Sequence, residues 1–339
     1  MNSISSMRNI SVGNYFIHAV LSNAAAHGLD SKQLLLAAGI SPELLGQTNA
    51  RVSAINFCRL QTAVMKEMKD EFLGYGPSRY VIGTWTNMCY SVIHCTTLGH
   101  VMARYCRFYQ MFDWGLQLRF EINGDKAKIV FERGNTDHPV SEYGFELVMF
   151  NFHRFCSWMV RRHLPLITVN LAYPAPAHAQ EYRHLFLGQA VFFNKPRTEI
   201  IFHRSLTELA IEQNEQSLQR FLQHPSLVML IQQYQEKSWT DQVRMIVNKR
   251  LIDTPGIDEI AEQLHLHPQT LRRRLAQEGT TFNDVKTQCR HDTALYHLGR
   301  SNLSIENIAQ RTGFSESSAF TRAFKTWTGM TPQDYRRRM

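Results

Sequence analysis

Gln269, Thr270, Arg272 and Arg273 surround Leu271 and Leu275 in one short stretch, and Glu316, Ser317, Ser318, Thr321 and Arg322 surround Phe320 and Phe324 in another. At helical spacing the apolar members of each set face one way and the polar members the other. An exposed row of amide, hydroxyl and guanidinium groups has the chemistry to read base-pair edges, because amides pair with adenine and guanidinium groups with guanine in two-point contacts. Lys325 and Arg300, single cations near the second row, suit phosphate oxygens instead.

Each row needs a helix to present it and a second helix to brace it. Ile257-Asp258-Glu259-Ile260-Ala261-Glu262-Gln263-Leu264 has helical periodicity, and a turn at His265 to His267 leads into Pro268, well placed in the first turn of a helix over 268–277. The pattern recurs at Ile305-Glu306-Asn307-Ile308-Ala309-Gln310-Arg311-Thr312-Gly313, followed by Phe314 and a helix expected to be capped by Ser315. Small Ala261 and Ala309 fall where two steeply crossing helices approach closely, and Gly313 suits the tight turn between them. A long helix, Phe282 to Leu298, joins the two helix-turn-helix units. In such a unit the second helix enters the major groove, so two units predict one long asymmetric site on double-stranded DNA, read one helical turn or roughly 34 Å apart.

Ser318-x-Phe320-x-Arg322-x-Phe324-Lys325-x-x-x-Gly329-x-Thr331-Pro332-x-x-Tyr335-Arg336 resembles the signature that closes the AraC/XylS family of bacterial regulators, and the resemblance covers roughly Thr240 to Arg338. It implies base-reading roles for Gln269 and Arg273 in the first unit and for Ser317, Ser318 and Arg322 in the second. It also implies a regulator, usually an activator, that works with RNA polymerase. The first turn departs from the family: His265-Leu266-His267-Pro268 stands where members usually place a serine near the start of the recognition helix.

The front of the chain alternates short helices and strands. Helical periodicity covers Val12 to Asn23, Ser31 is the expected cap of the next helix, and further helices are expected over 56–68, 98–112 and 142–162. Leu116 to Ile122 alternates apolar and polar residues, Asn123-Gly124-Asp125 supplies turn chemistry, and Ala127 to Phe131 completes a hairpin. Short strand-like runs follow at 167–172, 190–193 and 199–202. The expected fold is an α+β N-terminal domain over 1–205, a Gln-rich helical linker over 206–236, and an all-α domain with two helix-turn-helix units over 237–339. Pro176-x5-Tyr182-x3-Phe186-x-Gly188-x3-Phe192-Phe193, then Ile201-Phe202-x3-Leu206, resembles the arabinose-binding-type effector domain of the ornithine-utilisation regulator group, which implies control by a small-molecule effector and dimerisation as a homodimer.

Trp85, Tyr90, His94, Tyr105, Phe108, Phe112, Phe145, Met149 and Phe152 belong to an aromatic and Met-rich interior that either lines an apolar effector pocket or forms ordinary core. His94, Arg104, Arg107 and His153 are candidate polar anchors in it. A regulator without a ligand, controlled by abundance or by a protein partner, is the alternative, discriminated by whether the front domain has an open pocket.

Composition supports two ordinary globular domains: 339 residues, 44% hydrophobic and 19% charged. The formal net charge of +8 is shared evenly, but the last hundred residues carry their +4 on less than half the length, clustered in Arg272-Arg273-Arg274 and Arg336-Arg337-Arg338. The six cysteines include no CxxC pair, and His94, Cys95 and His100 match no zinc spacing, so no metal or other cofactor is expected. No GxSxG, HExxH, phosphate-loop or dinucleotide motif points to catalysis. The start lacks the order of a signal peptide and no apolar run approaches a membrane span, so a cytoplasmic protein is expected.

Overall fold

The computed structural model describes residues 10–47, 50–134, 137, 140–186, 189–232, 239–278, 280–299 and 303–337. Gly188, Gln233, Gln235, Arg300 and Arg338 lie outside the described residues. The chain forms two compact units: one gathers residues up to His18, Asp30–Gln61 and the residues after 236, and the other gathers Ala19–Leu29 and Thr62–Glu236. We call them the helical unit and the sheet unit.

The chain begins with strand β1 (Ser11–Gly13), helix α1 (Asn14–Ala26) and helix α2 (Ser31–Ala37). Strand β2 (Arg51–Ser53) leads into α3 (Ala54–Met68). Val12 and Gly13, expected to open a helix, instead lie with Ser11 in an antiparallel ribbon, Ser11 opposite Ser53 and Gly13 opposite Arg51. A three-residue strand leaves too little alternation for sequence periodicity to register it. The cap of α2 is Asp30 and not Ser31: its carboxylate accepts from the backbone N–H of Lys32 at 2.8 Å and of Gln33 at 3.2 Å.

The sheet unit continues with α4 (Thr84–Val92), α5 (Leu98–Tyr109), β3 (Leu116–Asn123), β4 (Lys126–Arg133), α6 (Glu142–Met159), β5 (Thr168–Asn170), α7 (Tyr182–Leu185), β6 (Val191–Phe192) and β7 (Thr198–His203). The strands lie in the order β3-β4-β7-β5-β6, antiparallel except for the β5–β6 pair. The expected hairpin is present, closed by a two-residue loop in which Gly124 takes a φ of 59°. Helix α6 is buried along most of its length, so its apolar residues read as a nearly continuous run and not as a stripe. Helices α8 (Glu215–Leu222) and α9 (Pro225–Ile231) follow. They correct the expected linker, because Leu218, Phe221 and Met229 are buried in the sheet unit's core, with Phe221 stacked 4.4 Å from Trp158. One apolar residue per turn among the glutamines is enough to dock a short helix.

The helical unit ends in α10 (Trp239–Lys249), α11 (Ile257–Gln263), α12 (Pro268–Gln277), α13 (Phe282–Leu298), α14 (Ile305–Arg311), α15 (Ser317–Thr328) and α16 (Pro332–Arg337). One core gathers Val243, Val247, Ile260, Ala261, Leu271, Leu275, Val285 and Cys289. Ile308, Ala309, Phe320, Phe324 and Tyr335 are buried around the second helix-turn-helix. The β1–β2 ribbon belongs to this unit, so the compact bodies do not follow the expected boundary at residue 205. The Tyr335 hydroxyl donates to the Arg51 carbonyl at 2.9 Å, and the Ser11 hydroxyl donates to Asp292 Oδ1 at 2.7 Å. Gln288 Nε2 also donates to that oxygen at 2.7 Å. Burial nevertheless pushes the Asp292 carboxyl up to about 6.

Candidate nucleic-acid interface and effector cleft

The two helix-turn-helix units share one backbone design. In the first, Leu264 N–H donates to Ile260, His265 to Glu262 and Leu266 to Ala261; in the second, Thr312 donates to Ile308, Gly313 to Gln310 and Phe314 to Ala309. This pattern stops a helix with one left-handed residue. That residue is Gly313, φ 77°, in the second unit and His265, φ 55°, in the first. A Cβ on Gly313 would stand 2.2 Å from the Leu251 carbonyl oxygen, so the turn tolerates no side chain there. His265 occupies the equivalent place without glycine's freedom, a feature that its histidine identity does not signal in sequence.

Pro268 begins α12, and His267 caps it by accepting from Gln269 N–H at 3.3 Å. Leu271 and Leu275 are fully buried, and Gln269, Arg272 and Arg273 are exposed while Thr270 is half-buried, as the expected face requires. Arg272 lies 3.9 Å from Asp258, and Arg274 is drawn aside over the Trp239 ring at 4.0 Å. Arg273 has no ion-pair or hydrogen-bond partner among the described residues.

In the second unit α15 begins at Ser317, preceded by Glu316 as the cap residue, and Ser315 lies one position too early to cap it. Ser317, Ser318, Arg322 and Lys325 are exposed and Thr321 half-buried, on the face opposite Phe320 and Phe324. Ser318 donates to Glu316 Oε2 at 3.1 Å and Thr321 to the Ser317 carbonyl at 2.8 Å, whereas Arg322 and Lys325 carry unpaired charges among the described residues. The closing signature has a structural content too. Gly329 ends α15 at φ 81°, Thr331 caps α16 through Asp334 N–H at 3.1 Å, Pro332 takes its first position, and Tyr335 is buried.

The sequence-selected residues of the sheet unit do not come together around one cavity. Tyr105, Met149 and Phe152 are fully buried core, with Tyr105 packed edge-on to Phe152 at 5.2 Å. Trp85 and Phe108 pack partly buried against that core. Tyr90 and Phe112 are exposed, and the largely exposed His94 pairs with Glu215 at 3.0 Å. His153 is buried and donates through Nε2 to the Leu164 carbonyl at 2.9 Å.

Phe145 alone of the nine lines the cleft that opens among the ends of β4, β5 and β7 and the start of α6, about 480 Å³ in volume. Its floor is Phe131, Phe145, Tyr173 and Thr198, and its rim carries Arg133, Arg197 and Glu142. Sequence reasoning missed these rim residues, since an isolated arginine after a strand or before one carries no periodic signal. Behind the cleft, Tyr173 meets the Tyr182 hydroxyl at 2.9 Å, and Tyr182 donates to Glu146 Oε1 at 2.5 Å, which also meets His178 Nε2 at 2.9 Å.

All six cysteines are buried, and burial pushes the Cys289 thiol up to about 12. Among the described residues no helix is long and apolar enough to cross a membrane, and no three His, Cys, Asp or Glu are grouped to hold a metal ion.

Comparison with known proteins matches residues 28–211 to the family described as the arabinose-binding domain of AraC transcription regulator, N-terminal, and residues 260–338 to a helix-turn-helix domain. The chain is 28% identical to the ornithine utilization regulator of Pseudomonas aeruginosa over 95% of both chains. It is 27% identical to the HTH-type transcriptional regulator VirS of Mycobacterium tuberculosis over 91% of both. Against the crystal structure of transcriptional regulator CdpR from Pseudomonas aeruginosa it is 17% identical, covers 95% of this chain and 97% of that one, and gives a TM-score of 0.30.

Proposed function

Starting from the finding that the chain belongs to the AraC family of transcription regulators, and is thus a DNA-binding regulator with an N-terminal ligand-binding domain, we propose that it activates transcription in response to a small molecule with a largely apolar body. Gln269, Thr270, Arg272 and Arg273 read one major-groove segment, and Ser317, Ser318, Thr321 and Arg322 read the next. Lys325 holds phosphate. The observation that carries this reading is the pair of helices, α12 and α15, each anchored by two buried apolar residues and each presenting on the outer face an arginine unpaired among the described residues. RNA polymerase is the partner an activator must engage, the working form is a homodimer, and the cytoplasm is where both meet DNA.

The test is competition binding on a site selected from random duplexes. Arg273→Ala and Arg322→Ala each weaken binding by about 1 to 3 kcal/mol and relax preference at one base pair. Lys325→Ala weakens all sequences alike and lowers the salt slope by about one. An equal loss on every sequence for both arginine variants would assign them to phosphates and remove the base-reading part.

A further inference from the structure

The rim of the sheet-unit cleft holds charge that the protein itself leaves unanswered. Arg133 ends β4 and Arg197 precedes β7, and because Phe131 pairs with Thr198 the two arginines extend neighbouring strand ends. Adjacent strands lie about 4.8 Å apart, and both arginines line the same opening. Arg133 is steadied over the Phe145 ring at 5.5 Å, a contact that leaves its N–H edges free. Neither arginine has a carboxylate partner among the described residues. Of the two described acids that line the cleft, Glu132 is engaged by Arg119 at 2.5 Å, which leaves Glu142, among the described residues, as the one open carboxylate against two open guanidinium groups. The floor beneath them is aromatic, from Phe131, Phe145 and Tyr173, and its volume of about 480 Å³ falls in the range of small-molecule sites.

We propose that this cleft is the effector site and that its ligand is an organic carboxylate whose apolar body lies on Phe131, Phe145 and Tyr173 while Arg133 and Arg197 hold the carboxylate. This rests on the reading of the chain as an effector-controlled regulator and names the chemistry of the effector. Guanidinium groups present paired N–H donors that match the two oxygens of a carboxylate, a geometry an amide or amine cannot satisfy. Glu142 has room to take an ammonium group, so a plain acid and an amino acid are two sources of the same anchoring chemistry. Tyr173 forms both the floor of the cleft and the first member of the buried Tyr173–Tyr182–Glu146–His178 chain, whose outer Glu146 oxygen, Oε2, is buried without a partner. A ligand on Tyr173 therefore bears directly on a polar network inside the sheet unit.

The experiment uses the full chain, with calorimetric titration and thermal shift against phenylpropionate, octanoate and phenylalanine, together with phenylpropionamide and phenethylamine. At least one carboxylate binds and its amide or amine counterpart does not; Arg133→Gln and Arg197→Gln, both exposed positions, each weaken that binding tenfold or more while the melting temperature without ligand stays unchanged. Glu142→Gln weakens phenylalanine alone if the amino acid is the source. Binding of the amide as tightly as the acid, unaltered binding to the arginine variants, or no binding by any carboxylate overturns the proposal. A transcription reporter scores the effector reading separately. A response to a compound that both arginine variants preserve keeps that reading and removes the cleft, whereas a reporter indifferent to every compound, with DNA still bound, removes the effector reading itself.

Discussion

Replacing Gly313 by alanine should destabilise the helical unit by about 2 to 5 kcal/mol, and the figure follows from two separable terms. Gly313 holds φ 77°, where an L side chain costs about 1 to 2 kcal/mol. Its new Cβ would also stand 2.2 Å from the Leu251 carbonyl oxygen, a backbone atom that no rotamer change moves aside. Relieving that overlap requires the turn or the end of α10 to shift by roughly 1 Å, and overpacking of this kind costs about 1 to 3 kcal/mol. Gly329 isolates the first term within the same unit: its φ is 81°, but its Cβ would meet only Gln47 Oε1 at 3.2 Å, the far end of a flexible side chain. Gly329→Ala should therefore cost only about 1 to 2 kcal/mol. Urea midpoints for the wild type and both variants, followed by circular dichroism, give the comparison. DNA titration of Gly313→Ala while it is still folded should show weaker binding, because the turn that sets α15 against α14 has moved. Equal stability losses for the two variants, within about half a kcal/mol, would refute the close-approach reasoning, since the turn would then yield freely.

Three further outcomes follow from the same structure. His265→Gly should raise stability by about 0.5 to 1 kcal/mol in the same urea assay, because the exposed His265 takes φ 55° where its counterpart is glycine; a loss would mean that the imidazole contributes more than its backbone strain removes. Phe221→Ala should cost about 3 to 5 kcal/mol by denaturation, as expected for a large buried ring stacked on Trp158, whereas a loss under 1 kcal/mol would restore residues 215–231 to a loosely attached linker. Burial, with His163 and Arg154 adding to it, lowers His153 to about 3, so the unfolded chain binds a proton that the folded chain refuses between pH 6.5 and 3. Stability from this group is therefore present above pH 6.5 and lost as pH falls, by about 2 kcal/mol between pH 6.5 and pH 5. His153→Gln should remove that share of the pH dependence, and an unchanged difference between pH 7 and pH 5 would show that His153 does not supply it.

Local pattern carried much of this protein. The Ile-x-x-Ile-Ala repeat, the proline opening α12, the glycine closing α14 and the alternation of β3 all act within a few residues, so composition and spacing determined the helix-turn-helix units, their polar outer faces and the hairpin without reference to the rest of the chain. The family signature is legible for the same reason, since Gly329, Thr331, Pro332 and Tyr335 each answer a demand of the local backbone or the nearby core. What tertiary structure alone decided depends on partners far apart in sequence. Sequence marked Tyr105, Met149 and Phe152 as apolar, but whether an aromatic residue fills a core or lines a cleft is set by the presence or absence of atoms opposite it. The pairing of Ser11 with Asp292 and of Arg51 with Tyr335 joins opposite ends of the chain. The opening shared by Arg133, Arg197 and Glu142 exists only because the end of β4 and the starts of β7 and α6 meet at one place. Periodicity reports which face of an element is buried, and it is silent on which other element buries it.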